Sequence, residues 1–315
     1  LFSMTPATAP LLWFAVMLTL VFSSFSYLTI CFYAEGVSSA GRIDGQGHIK
    51  LASWRETGAL LGICAASVAP IAIGGYGGFA FAFAVLPLVA LWAMRREWVG
   101  VEIDSGTGFV GVLSDPIARK LLMVALFNAA PVAVSSTLFL FFVESKLNAP
   151  GWEGPFLLLF FLSAALAAPL WSRLAEEVGE RKVLLTAMVL AIAAFGFAVT
   201  LGPGDTWAFG LICLASGAAL GADMTLLPAL FARRMEKVSP GASEGFGLWS
   251  FVSKFTLALA AVTLLPLLDS GGFQAGQENS EDALRLLSLL YGALPCVLKL
   301  LAIGLLVSIN FEDKE

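Results

Sequence analysis

Nine mostly apolar stretches follow one another along this chain, at about 11–33, 56–74, 78–94, 118–143, 154–172, 183–201, 206–231, 247–268 and 285–309. A helix crosses the hydrocarbon of a bilayer with about 20 such residues. The expected fold is therefore all-α, a polytopic membrane helix bundle. Composition agrees: 58% of residues are hydrophobic and 13% charged, with mean hydropathy +0.87. A soluble domain keeps roughly a quarter of its residues charged, and one water-soluble core of this size could not hide so much apolar surface. The second and third stretches are short, with Gly74, Gly75, Gly77 and Gly78 forming the turn between them. Pro70, Pro87, Pro131, Pro169, Pro228, Pro266 and Pro295 lie within the stretches or near their ends. Membrane helices tolerate this because neighbours satisfy the freed carbonyls.

Lys and Arg set the orientation, since short cytoplasmic loops collect them. With the loop after the first span in the cytoplasm, 14 of the 18 basic residues fall on that side and only Lys146 and Arg285 on the other. Lys254 and Lys299 lie inside spans. In this orientation the chain starts outside, at Leu1 rather than Met, and residues 1–10 carry no signal-peptide pattern. The parity of the spans leads us to expect an odd number of helices before Leu1. The acidic net charge of -5 includes no basic patch for nucleic acid. Cys31, Cys64, Cys213 and Cys296 sit in apolar runs without ligand spacing, and the only histidine, His48, falls in a polar loop. Neither a metal site nor a disulfide framework is expected.

Charges deep in a bilayer are costly and usually face the bundle interior. Asp223 lies ten residues before Arg233 and Lys254 ten residues after Glu244, so each sits roughly 15 Å from the same membrane face at 1.5 Å per residue. Matched depth on consecutive antiparallel helices points to an Asp223–Lys254 pair. It would act as a gating or coupling pair near the midplane, or as a static lock between two helices. Lys299 is expected to snorkel to the cytoplasmic interface. Gly210, Gly217 and Gly221, with Ala218, Ala219 and Ala222, give the seventh span faces that allow close backbone approach. Thr29, Tyr33, Asn128, Ser135, Ser136, Thr137, Trp249 and Ser250 are further polar candidates, each readable as an interhelical hydrogen bond or a ligand contact. Arg55 stands at the expected cytoplasmic start of the second span.

Three stretches resemble the glycoside-pentoside-hexuronide:cation symporter family of the major facilitator superfamily, the melibiose-carrier relatives. The first runs from Tyr27 to Gly36 and on to Leu51-Ala52-Ser53-Trp54-Arg55-Glu56. The second, Trp171 to Lys182, is similar to the superfamily's repeated cytoplasmic loop motif. The third runs from Gly221-Ala222-Asp223 through Gly245-Phe246-Gly247-Leu248-Trp249-Ser250-Phe251-Val252-Ser253-Lys254. The resemblance implies a major facilitator fold with nine of twelve transmembrane helices present, the first three being absent. Residues 1–95 would be the remnant of the N-terminal half (helices four to six), 96–117 the cytoplasmic linker, and 118–315 the C-terminal six-helix half. It also implies that Arg55 is at a sugar-contacting position and Lys254 in the central polar cavity. Thr29 falls near where melibiose carriers have an acid. At the end of the tenth helix, where the family often shows Ala-Asp, Ala232 is followed by Arg233 and Arg234.

The functional expectation is a secondary active transporter that moves a sugar or glycoside-like solute by alternating access. A sodium ion or proton would drive it, and no other cofactor is needed. The partners would be a small solute and the lipid bilayer, with no nucleic acid. The protein would be a monomer in a bacterial inner (plasma) membrane. The same fold carrying an amphipathic lipid, nucleoside or drug is the nearest alternative, followed by a non-transporting receptor or scaffold. An intramembrane enzyme would need converging catalytic groups. Ser253 and Lys254 are helix neighbours pointing about 100° apart, and no span carries a histidine.

Overall fold

The computed structural model describes residues 9–40, 47–95, 108–239 and 242–310. Every regular element among them is helical. The chain runs α1 (Pro10–Ala40), α2 (Gly47–Ala72), α3 (Tyr76–Met94), α4 (Gly108–Ser114) and α5 (Pro116–Phe141), which ends in a π-helical turn over Phe142–Lys146. It continues through α6 (Glu153–Val178), α7 (Glu180–Ala198), α8 (Thr206–Val238), α9 (Ser243–Ser270) and α10 (Glu281–Ser288), and a second π-helical turn over Leu289–Ala293 leads into α11 (Leu294–Val307). With α5 and its π-turn as one span, and α10 to α11 as another, eight described helices are long and apolar enough to cross a membrane. α2 corresponds to the one remaining expected span, the second, its average polarity raised by His48, Lys50, Arg55 and Glu56 in its first turns.

Two boundaries differ from expectation for the same reason. α1 continues to Ala40 and α2 starts at Gly47, so helix occupies most of the polar stretch that hydropathy assigns to a loop. Polar residues end the apolar signal, but they do not end the helix. Arg55 therefore sits eight residues inside α2, about 12 Å from its start, rather than at the start itself. The expected linker over 96–117 is also partly helical, through α4 and the first residues of α5. Residues 96–107, the start at 1–8, Arg42 and Lys314 lie outside the described residues.

α8 is the most enclosed span, packing against α6, α7, α2 and α5. Its contact with α6 is backbone to backbone. A Cβ on Gly217 would overlap the Phe160 carbonyl, and one on Gly221 would overlap the Ala164 carbonyl and crowd the Ala168 nitrogen. Two bonds stitch the same seam: Ser163 Oγ donates to the Leu214 carbonyl (2.7 Å) and Trp171 Nε1 to the Ala218 carbonyl (2.8 Å). The close approach expected at the seventh span thus involves Gly217 and Gly221, while Gly210 has ordinary contacts with Leu159 and Phe156. Large apolar side chains on α1 and α3, such as Leu11, Phe25, Phe81 and Trp92, are exposed, which suits a hydrocarbon solvent.

The ends of the bundle differ in chemistry. At the basic end, Asp115 caps α5 by accepting from the Ala118 N–H (2.6 Å) and holds Arg234 of α8 through Nε (3.0 Å) and Nη2 (2.5 Å). Arg233 donates to Glu180, the first residue of α7. His48 of α2 lies 2.9 Å from Glu236. The motif-like turn from α6 to α7 at Gly179 is therefore tied to the end of α8. At the opposite end, Tyr291 stacks on Phe142 (4.2 Å between centroids) and Phe209 packs beside both.

Burial alone would raise the Asp115 carboxyl, but the Arg234 hydrogen bonds, the Ala118 and Ile117 N–H groups and the Arg234 charge outweigh it and hold it below the usual range. A depressed carboxylate stabilises the fold above its unfolded pKa and loses that contribution as pH falls through its folded pKa. Asp115→Asn keeps a capping side chain but loses the charge pair. We expect a cost of about 1 kcal/mol at neutral pH, modest because solvent screens this end. The gap from wild type should close as denaturation midpoints are measured at falling pH. At the α6–α8 seam, Gly217→Val should destabilise by about 1–3 kcal/mol or more, whereas Gly210→Ala should be tolerated. Thermal unfolding in detergent measures both.

Candidate functional site

A cavity of about 420 Å³ opens between α1, α2, α5, α8 and α9. Its polar lining includes Tyr33, Glu56, Asn128, Asp223 and Trp249, with Ser136 and Ser253 beside them. Five residues singled out by sequence (Tyr33, Asn128, Ser136, Asp223 and Trp249) therefore converge on one space from four helices.

On one wall, Tyr33 of α1 donates its hydroxyl to Glu56 Oε1 (2.6 Å), and Arg55 Nε donates to the same oxygen (2.9 Å). The Arg55 guanidinium also lies over the Tyr33 ring, 3.4 Å from its centroid. Glu56 is only 3% exposed. A carboxylate so deeply buried needs such partners, and here they also fix the Tyr33 ring at the cavity edge. Arg55 backs this wall, and it lines a much smaller void beside Tyr33 and His48. Across the cavity, Trp249 of α9 packs on Phe231, with centroids 5.0 Å apart.

The other wall holds the deepest charges. Lys299 of α11 donates to Asp223 of α8 and to Asn128 Oδ1 of α5 (2.6 Å). Lys299 is 3% exposed and Asp223 7%, so this is a buried pair joining three helices. The expected Asp223–Lys254 pair does not form. Depth along a helix says nothing about azimuth: Asp223 faces α5 and α11, whereas Lys254 projects from α9 toward α1. There Lys254 donates to Ser26 Oγ and to Ser250 Oγ (2.9 Å), and it is exposed. Its neighbour Ser253, not Lys254, lines the described cavity. Lys299 does not snorkel either, since about 12 Å of α11 separates it from the helix end and a buried carboxylate lies closer. Thr29 turns its hydroxyl back to the Phe25 carbonyl (2.7 Å) and does not line the cavity.

Sequence reasoning overlooked Glu56 and misassigned Lys299. The signal for Glu56 was an acid next to Arg55 at the edge of an apolar run. For Lys299 it was a lone cation eight residues before a helix end. Among the described residues no group of three or more His, Cys, Asp or Glu side chains could hold a metal ion.

A family model described as "MFS/sugar transport protein" matches residues 1–313. The chain belongs to that family. It is accordingly an all-α membrane bundle of the major facilitator superfamily, a group of transporters rather than enzymes. Among solved structures, it is similar to the crystal structure of a bacterial homologue of iron transporter ferroportin in outward-facing state, with 15% identity and a TM-score of 0.58. The match covers 85% of this chain and 65% of that one, so the chain spans less than two thirds of that protein, and the likeness speaks to the fold alone. No curated protein matches the chain.

The Tyr33–Glu56 bond should carry measurable energy, because a hydrogen bond to a charged group contributes about 1.5–3 kcal/mol. Tyr33→Phe is expected to lose about that much while keeping the ring beneath Arg55. Tyr33→Ala should cost more, since the cation–π contact adds about 0.5–2 kcal/mol. A double-mutant cycle with Arg55→Met, read by denaturant unfolding in detergent, separates the two effects.

Proposed function

We propose that this protein is a secondary active transporter of the melibiose-carrier type. In this reading it moves a sugar or glycoside-like solute by alternating access, with a cation supplying the driving force. The observation that carries the reading is the cavity itself, which places two buried carboxylates and two aromatic rings around one space. Its volume suits a small organic ligand. Glu56 and Asp223 can accept from hydroxyl groups, Asn128 can both donate and accept, and the Trp249 and Tyr33 rings can cover the apolar faces of a pyranose. α1 to α3 would belong to one half and α5 to α11 to the other. The cavity then lies between the halves, where a rocking motion would expose it to each side in turn. We further propose that the protein acts as a monomer in a bacterial plasma membrane.

A second reading has its own support. Most other lining residues are apolar, among them Val132, Leu220, Met224, Leu227 and Leu257. This would suit an amphipathic solute such as a lipid, nucleoside or drug. The two readings part in a single experiment, uptake into proteoliposomes of a sugar panel and an amphiphile panel under imposed proton or sodium gradients.

Accumulation of a glycoside is the expected outcome. Glu56→Gln should weaken it on the order of tenfold or more, matching the loss of a hydrogen bond to a charged group. Accumulation of amphiphiles alone, from folded protein, would overturn the sugar assignment.

A further inference from the structure

Asp223 is bonded asymmetrically. One carboxylate oxygen, Oδ2, accepts from Lys299, and the Asn128 amide also faces the group. The other oxygen, Oδ1, is buried and meets no hydrogen-bond partner. A buried acceptor left in this state is costly and calls for an explanation.

The surroundings supply one. Asp223 and Lys299 share the wall of a side void of about 20 Å³, also lined by Ser135 and Ser216. A void needs about 10–15 Å³ to hold one water. This void shares Asp223 with the central cavity, and it shares Ser135 and Ser216 with a third void of about 70 Å³ that reaches Ser136, Cys213 and Tyr291. The serine hydrogens are already committed: Ser135 donates to the Val132 carbonyl (3.1 Å) and Ser216 to the Ile212 carbonyl (2.6 Å). Their oxygens remain as acceptors for water.

We propose that Asp223, backed by Lys299 and Asn128, is the proton-binding site through which transport is coupled, reached by water in the serine-lined side void. The inference rests on the transporter reading and names its coupling ion. A hydronium in the void gives its proton to Oδ1: its O–H bond breaks, the carboxylic O–H forms, and a water remains. Asp223 becomes neutral, the ion pair between α8 and α11 dissolves, and Lys299 keeps Asn128 Oδ1 as its acceptor. The donor set favours a proton over sodium. A metal cation would have to sit against the Lys299 ammonium and be repelled by it, whereas a proton needs one open oxygen. The other charged or titratable groups around the cavity are committed elsewhere or lie farther off. Glu56 and Tyr33 bond to each other and to Arg55 on the opposite wall, and Lys254 bonds to Ser26 and Ser250. Cys213 and Tyr291 line the third void. α6 and α7 offer Phe160, Ala191, Ile192 and Phe195 to the side void, none of which titrates.

The test is an infrared pH titration of the whole chain in proteoliposomes, with no sugar present and in sodium-free buffer. Lowering the pH should raise a protonated-carboxyl C=O band that is lost in Asp223→Asn. Lys299→Met should move the midpoint of that band to higher pH. Ser135→Ala with Ser216→Ala should keep the midpoint and slow the rise after a pH jump several-fold. Should Asp223→Asn fail to fold, Asp223→Glu carries the test by shifting the band position. A band that survives in Asp223→Asn, fails to move in Lys299→Met, or answers to sodium instead of pH would overturn the proposal. Because no sugar is involved, an intact Asp223 titration alongside a failed uptake panel would sink only the substrate reading. Sodium-driven sugar uptake with no Asp223 titration would sink only this one.

Discussion

The charge pair between Asp223 and Lys299 sets the terms for the helices around it. Burying two opposite charges costs several kcal/mol each in desolvation, and that cost is recovered only with close geometry and further hydrogen bonds. α8, α11 and α5 must therefore meet where the ammonium can reach both the carboxylate and Asn128 Oδ1. α8 meets that requirement on one side while its glycine face packs against α6 on another. The Glu56 cluster makes a similar demand of α1 and α2, because its partners come from both helices. Two paired charge clusters thus stand on opposite walls of one cavity, each binding its own group of helices.

Electrostatics and packing divide the labour along the bundle axis. Near the basic end, acidic groups at the starts of α5 and α7 meet the two arginines of α8. Negative charge is favourable at a helix N-terminus, so each carboxylate, Asp115 as the cap of α5 and Glu180 in the first turn of α7, also answers the dipole of its helix. At the far end the contacts are aromatic. Between them lies the cavity, bordered by small residues and by the few polar side chains the membrane interior permits.

Most of the fold could be read from sequence because the bilayer imposes a one-dimensional rule. Apolar length gave a helix for each expected span, and the distribution of Lys and Arg separated the two ends. Lys146 and Arg285, assigned together to the sparse side, lie on the π-turn of α5 and on α10, which pack against each other. What the rule lacks is azimuth. Asp223 and Lys254 share a depth but face different neighbours, while Lys299, ten residues before Ile309 as Asp223 is ten before Arg233, met the depth criterion equally well. Glu56 was hidden for a different reason: it stands at the first residue of its apolar stretch, where hydropathy marks a span's end although the helix begins at Gly47. Tyr33, Asn128 and Trp249 were visible as polar or aromatic exceptions in apolar runs, but only their convergence in space marks them as one site.

The backbone contact between α6 and α8 has a mechanical consequence. Side chains on flexible stems can yield by changing rotamer, but main chains touching at Gly217 and Gly221 have no such slack. The two helices can be displaced together far more easily than they can slide past one another. Their amide protons along that seam should be among the last in the molecule to exchange with solvent, in a stiff spine around which looser, lipid-facing helices breathe.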